Sequence, residues 1–272
     1  MGPTTSRPWA ELPDGAAQAV IGVLTDIDDT LTTAGAITAD ALEALAQLRS
    51  AGLPVIAVTG RPMGWSEPFA RQWPIDAIVA ENGAVALLRE RNGTLAIEYA
   101  QDEPTRTHNA RRLREVAQQV LRSVPGSTLA QDSAGRATDI AIDHAEFAHL
   151  TPQQIDATLA VMRAAGMNAT VSSIHINGWF GAHTKLSGAQ WIVRRLLGRE
   201  LDAERERWVY VGDSTNDELM FGHFALSVGV ANLLEFTDAL TVWPAYVTAG
   251  ARGAGFAEVA QRLLRAHPIR RG

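Results

Sequence analysis

Short apolar runs that end in polar residues alternate along this chain with segments in which apolar side chains recur at helical spacing. The first run, Val20 to Leu31, carries Asp26-Ile-Asp-Asp29 near its end. Others are Leu53 to Gly60, Ile75 to Ala80 and Arg207 to Gly212, with shorter ones at Ala225 to Val230 and Ala245 to Thr248. Continuous β-branched runs of this kind predict strands covered on both faces, as in a parallel sheet. Between them, Leu42, Leu45 and Leu48 predict a helix over 37–51, opened by Thr38 and stopped by Gly52. Further helices are predicted over 190–197, from near Asn216, and over 255–266. Strands alternating with helices imply an α/β fold, a Rossmann-like parallel sheet with right-handed crossovers.

From about Val85 the pattern changes. Runs at 84–89 and 95–101 flank Asn92-Gly93, a two-residue hairpin signal. A helix is predicted over 105–121, a strand over 137–143, a helix from Thr151-Pro152 to Gly166 and a strand over 169–176. Hairpins mixed with helices predict an α+β cap domain inserted into the parallel-sheet domain. The expected division is a flexible leader over 1–18, rich in Pro, Gly and Thr, a core over 19–84 and 183–272, and the inserted domain over 85–182.

Composition narrows the function. With 272 residues, 46% of them hydrophobic, the chain can bury a large core and a smaller one. A net charge of -6 gives no electrostatic footprint for nucleic acid or an anionic membrane, so neither partner is expected. No cysteine is present, which excludes disulfides and thiolate metal sites. No apolar segment has the length of a secretory signal or a membrane span, and the expected location is cytoplasmic.

Asp26 and Asp28 stand at a strand's carboxyl end, where open α/β sheets bind ligands, and alternate residues of an extended chain face one way. Their converging carboxylates repel unless a cation or a shared proton intervenes. Asp213-Ser-Thr-Asn-Asp217 rebuilds an acidic loop after a second, remote strand.

Together, Asp26-Ile-Asp-Asp-Thr30, Thr59-Gly60, Lys185 and Gly212-Asp-Ser-Thr-Asn-Asp217 resemble, in order and spacing, the four motifs of the haloacid dehalogenase superfamily of phosphohydrolases. The long insertion beyond Glu81-Asn-Gly-Ala84 is similar to the branch with a large cap after the second motif, which includes Cof-like sugar phosphatases and sucrose-, trehalose- and mannosylglycerate-phosphate phosphatases. The resemblance covers the core and extends to the insertion only in position and texture. It implies that Asp26 attacks phosphorus and that Asp28 protonates the leaving oxygen and then activates water. It also implies that Asp213 holds Mg²⁺ with Asp26 and the backbone carbonyl of Asp28, and that Asp217 supports that shell or orients Lys185. Thr59 and Lys185 would bind the phosphoryl oxygens beside Gly60, and Asn216 the phosphate or a metal-bound water. One departure is Asp29, where the family often has Gly.

Substrate choice is expected on the insertion. His175 and Asn177 lie two apart and can present one face to sugar hydroxyls, or His175 can be a core or surface histidine. Trp179 can stack on a sugar or pack at a hinge. Arg61 and Asn82 are further substrate-side candidates, with Arg61 as a surface ion-pair residue the alternative. The expected function is hydrolysis of a small phosphorylated sugar or sugar derivative by a monomer or homodimer. A sugar phosphomutase would instead need a basic cluster on the insertion, and Arg111, Arg112 and Arg114 point different ways on one helix. A non-catalytic sugar- or phosphate-binding regulator would have no use for the Asp26 and Asp28 pair.

Overall fold

The computed structural model describes residues 6–90 and 92–267. In chain order the first elements are β1 (Arg7–Pro8), α1 (Asp14–Ala19), β2 (Gly22–Thr25), a small ribbon of β3 (Thr32–Thr33) and β4 (Ala36–Ile37), and α2 (Ala39–Ser50). They continue with β5 (Val55–Val58), α3 (Met63–Gln72), β6 (Ala77–Ala80), β7 (Val85–Arg89) and β8 (Leu95–Tyr99). Next come α4 (Glu103–Ser123), β9 (Thr128–Leu129), β10 (Asp139–Asp143), α5 (Pro152–Ala164), β11 (Asn168–Val171) and β12 (His175–Trp179). The chain closes with α6 (Lys185–Leu197), β13 (Trp208–Gly212), α7 (Glu218–His223), β14 (Leu226–Gly229), β15 (Tyr246–Val247) and α8 (Arg252–Ala266).

The large sheet runs β1-β15-β14-β13-β2-β5-β6-β7-β8 and is parallel from β1 to β6. Its strands are buried on both faces, and alternation decides which face each side chain fills. Val23, Val209 and Val211 join one apolar cluster with Leu45 and Leu48 of α2 and Phe256 and Leu263 of α8. Leu24, Trp208 and Tyr210 join the other with Ile192 and Val193 of α6 and Phe221 of α7. Each such fully buried Leu or Val contributes about 1.5–3 kcal/mol. The expected α/β architecture is therefore present, with helices on both faces of a parallel-dominated sheet.

A second sheet, β11-β12-β10-β9, is antiparallel and packs α4 and α5 around Leu113, Val116, Val120, Ile142, Met162 and Ile176. Asp102 caps α4, and Thr151 with Gln154 forms the capping box of α5. The expected strand over 169–176 is two strands, because the chain turns at Ser172, whose hydroxyl accepts from the His175 amide at 3.0 Å.

Three expectations are corrected. Residues 6–18 are not a flexible leader: β1 pairs in parallel with β15, and Trp9 is fully buried edge-on to Tyr246. Residues 1–5 of that leader lie outside the described residues. The hairpin over 85–99 does not start the insertion; β7 pairs with β6 and extends the large sheet, since Val85 and Leu87 are needed in one core cluster and Ala86 and Leu88 in the other. The helix expected over 190–197 begins at Lys185, where Thr184 accepts from the Ser187 amide.

Candidate active site

Four remote segments converge at the carboxyl ends of β2, β5 and β13. Asp26 follows β2 and is fixed by its amide, which donates to the Val211 carbonyl at 2.8 Å. Lys185, at the first turn of α6, donates from Nζ to Asp26 Oδ1 at 2.9 Å and to Asp217 Oδ1 at 2.7 Å. All three side chains are buried. Asp217 is saturated: Oδ1 also accepts from the Tyr210 hydroxyl, and Oδ2 from the Asp213 and Ser214 amides at 2.9 and 3.3 Å. Only glycine fits at 212, because a Cβ there would lie 2.4 Å from Asp217 Oδ2. Of the two roles left open for Asp217, this geometry favours orienting Lys185.

Asp213 is fully buried, approached by the Thr30 hydroxyl and by Asn232 Nδ2, each at 3.4 Å. Oxygens of Asp26, Asp213 and Asp217 lie within 4.8 Å of one another. One lysine cannot neutralise three buried carboxylates. Burial, with Asp217 and Asp28 nearby, pushes Asp26 up to about 7 against the pull of Lys185. Burial and then Asp26 push Asp213 well above the usual carboxylate range. Lys185 is held above its ordinary value: burial opposes its charge, but Asp217 and Asp26 outweigh burial. Such an all-oxygen, charge-deficient trio fits a hard cation, with Asp26 and Asp213 the members having oxygen capacity to spare.

Asp28 stands outside this trio. Arg61 Nε donates to both of its oxygens at 3.0 Å. Burial raises the Asp28 pKa, and the Arg61 charge acts the other way. Arg61 is itself buried, which corrects the surface-pair alternative, and it joins Asp28 to two carboxylates of the insertion: Asp132 at 3.1 Å and Glu146 at 2.8 Å. Thr59 is buried, its hydroxyl accepting from the Arg61 amide at 3.0 Å. The Gly60 carbonyl accepts from Arg136 and Asn177 of the insertion at 3.0 and 3.3 Å. Asn82 sits against Gly60 with positive φ, and its buried Nδ2 has no partner. Asn216 is only half-buried, its Oδ1 accepting from the Ser214 hydroxyl at 3.0 Å.

His175 and Asn177, alternate residues of β12, face this junction. His175 Nε2 lies 2.9 Å from Glu146 Oε2, and Asn177 donates to Asp139 at 3.1 Å. Trp179 instead is buried, stacks on His183 and donates to its carbonyl. Arg111 is exposed beside Glu115, Arg112 lies over Phe180, and Arg114 lines a cavity with Arg136 and Asp139, so the three arginines point different ways and form no single cluster. Several residues here were not singled out from sequence. Glu81, fully buried, accepts from the amides of Met63, Ala137 and Thr138 and from the Thr138 hydroxyl, binding insertion to core. Its position before Asn82-Gly83 was visible, but not the loop it reaches. Asp132, Arg136, Asp139 and Glu146 are ordinary charged residues in sequence, and only the packed insertion reveals them.

Residues 23–114 match the family model of haloacid dehalogenase-like hydrolases, the family that the motifs resemble, which bears out the expectation of an enzyme. No curated protein matches the chain. Among solved structures, a protein of Thermoplasma acidophilum is similar at TM-score 0.67 and 16% identity, covering 90% of this chain and 98% of its own. The sucrose-phosphatase of Synechocystis sp. in complex with sucrose and phosphate is similar at TM-score 0.64 and 18% identity, covering 90% and 98%. The C-terminal domain of C. albicans trehalose-6-phosphate phosphatase is similar at 0.65 and 14%, covering 99% and 100%. At these identities the likeness is one of fold.

Proposed function

We propose that this chain, similar over residues 23–114 to haloacid dehalogenase-like hydrolases, is a Mg²⁺-dependent phosphomonoester hydrolase acting on a phosphorylated sugar or sugar derivative. The observation that carries the reading is the convergence of Asp26, Lys185, Asp213 and Asp217 from distant parts of the chain into one buried cluster. The sugar-phosphate class rests on the fold shared with the sucrose- and trehalose-phosphate phosphatases.

Mg²⁺, held by Asp26, Asp213 and the backbone of Asp28, would screen the negative charge that otherwise repels a carboxylate from a phosphoryl group. Lys185 holds Asp26 Oδ1 and so orients the carboxylate for in-line attack. Asp26 forms a bond to phosphorus while the bond from phosphorus to the leaving oxygen breaks, and Asp28 gives that oxygen its proton. Asp28 then takes a proton from water, whose oxygen attacks phosphorus and frees Asp26 and inorganic phosphate. Burial favours the protonated Asp28 that the first step needs. Lys185 and the Thr59 hydroxyl would steady the phosphoryl oxygens, with the unpartnered Nδ2 of Asn82 a further donor nearby. Insertion residues closing over Arg61 act as a cap that excludes water.

The test is phosphate release from a panel of sugar phosphates, glycolytic intermediates and nucleotides, with Mg²⁺ or chelator. Metal-dependent release that falls by several orders of magnitude in a folded Asp26→Asn variant is expected. Near-normal turnover in that variant overturns the mechanism.

A further inference from the structure

The cap wall beside Asp28 is acidic, and the two buried guanidiniums there, Arg61 and Arg136, are already engaged. Asp28 would protonate the leaving oxygen, so the leaving group emerges on the Arg61 side, where Arg61 is paired with the cap carboxylates Asp132 and Glu146. Both carboxylates bind Arg61, which is also held by Asp28. The cap's own guanidinium there, Arg136, is occupied by Asp139 at 2.8 Å and Asp132 at 3.1 Å. Glu146 is the most open of these side chains, 22% exposed against 11% for Asp132, and carries His175 on its second oxygen.

We propose that Glu146 and Asp132 determine specificity by accepting hydrogen bonds from the hydroxyls of an uncharged polyol leaving group and repelling one that carries a second phosphate or a carboxylate. This inference rests on the phosphatase reading and narrows it to monophosphates of neutral polyols. A hydroxyl donates to a carboxylate at little cost, and such charge-assisted bonds are strong. A second phosphate would face two carboxylates whose guanidinium partners, Arg61 and Arg136, are already paired, and discrimination by repulsion is as effective as discrimination by attraction. His175 holds the Glu146 carboxylate in place from the other side.

The experiment compares kcat/KM for a hexose 6-phosphate and a hexose 1,6-bisphosphate in the full-length enzyme with Mg²⁺, using p-nitrophenyl phosphate to establish phosphatase activity. The wild type is expected to prefer the monophosphate by at least about tenfold. Glu146→Gln and Asp132→Asn should each lower that preference severalfold, whereas Glu146→Asp, which keeps the charge, should retain most of it. A merely structural role would lower both rates together and leave the ratio unmoved. An unchanged ratio in both neutral variants, with p-nitrophenyl phosphate turned over, overturns the inference and leaves the phosphatase reading standing. No turnover of p-nitrophenyl phosphate or either sugar by the wild type overturns both.

Discussion

Arg252 Nε donates to Asp29 Oδ1 at 2.9 Å, and both residues hold a left-handed backbone with φ of 53°. Asp29 occupies the position where the family resembled often has glycine, and its φ gives the reason: the turn after the candidate nucleophile needs a conformation that costs most side chains about 1 kcal/mol or more. Aspartate visits this region more readily than other residues, and Arg252 neutralises the charge it brings beside Asp213. The ion pair is partly exposed and worth at most about 1 kcal/mol. Asp29→Gly should therefore leave stability within about 1 kcal/mol of wild type, whereas Asp29→Val should lose about 2 kcal/mol or more. Urea midpoints of the variants check this order, and a valine variant as stable as the glycine one would contradict it.

Removal of divalent cation should destabilise the protein in a pH-dependent way. Asp26 is raised to about 7 by burial, so its contribution to chelated-protein stability is full below its ordinary value of 3.8 and is lost as pH rises through about 7. Chelated protein should melt lower at pH 8 than at pH 6 from this group. Mg²⁺ at the proposed site, binding the native state alone, would restore about 2.7 kcal/mol at a hundredfold excess over its dissociation constant. The melting increment should be larger at pH 8 than at pH 5 and should vanish in Asp213→Asn.

His183 supplies an opposite slope. It is buried where the insertion rejoins the core, with neither ring nitrogen hydrogen-bonded, and burial depresses it to about 4 from 6.5. Below pH 6.5 the unfolded chain takes up a proton that the native state refuses until about 4, so stability falls across that window. The loss should reach about 2 kcal/mol after allowance for partial solvation. His183→Gln should flatten that part of the acid limb in a denaturant titration.

If the insertion is a cap, as proposed, Glu81 should control its closure. Removing a carboxylate that serves three amides and a hydroxyl leaves those donors unpaired, at about 1–3 kcal/mol for each group that water cannot reach. Glu81→Ala should favour an open cap, seen as a larger radius of gyration in small-angle scattering and a raised KM. An unchanged radius and KM would show that the latch is dispensable.

The core was legible because its central strands are short apolar runs ending in a candidate site residue, as in Val23-Leu-Thr-Asp26 and Val209-Tyr-Val-Gly-Asp213. The hairpin at Val85 does not reveal its sheet from sequence, because its turn signal is local while the choice of partner strand depends on β6, which local periodicity does not encode. Helix α3 was not singled out, since Pro68 and scattered aromatics blur its period. The cap side of the site was less legible still: Asp132 and Glu146 gain their meaning only from Arg61, more than seventy positions away from each.

With the hairpin assigned to the large sheet, the inserted unit hangs from two strands of chain, residues 100–102 and 180–184, and Gln101 Nε2 donates to the Phe180 carbonyl at 2.9 Å between them. Departure and return are thus neighbours. An element attached in that way asks nothing of its host but a pair of adjacent anchor points, so a different roof with its own apolar centre can be exchanged onto the same floor without redrawing the chemistry beneath it.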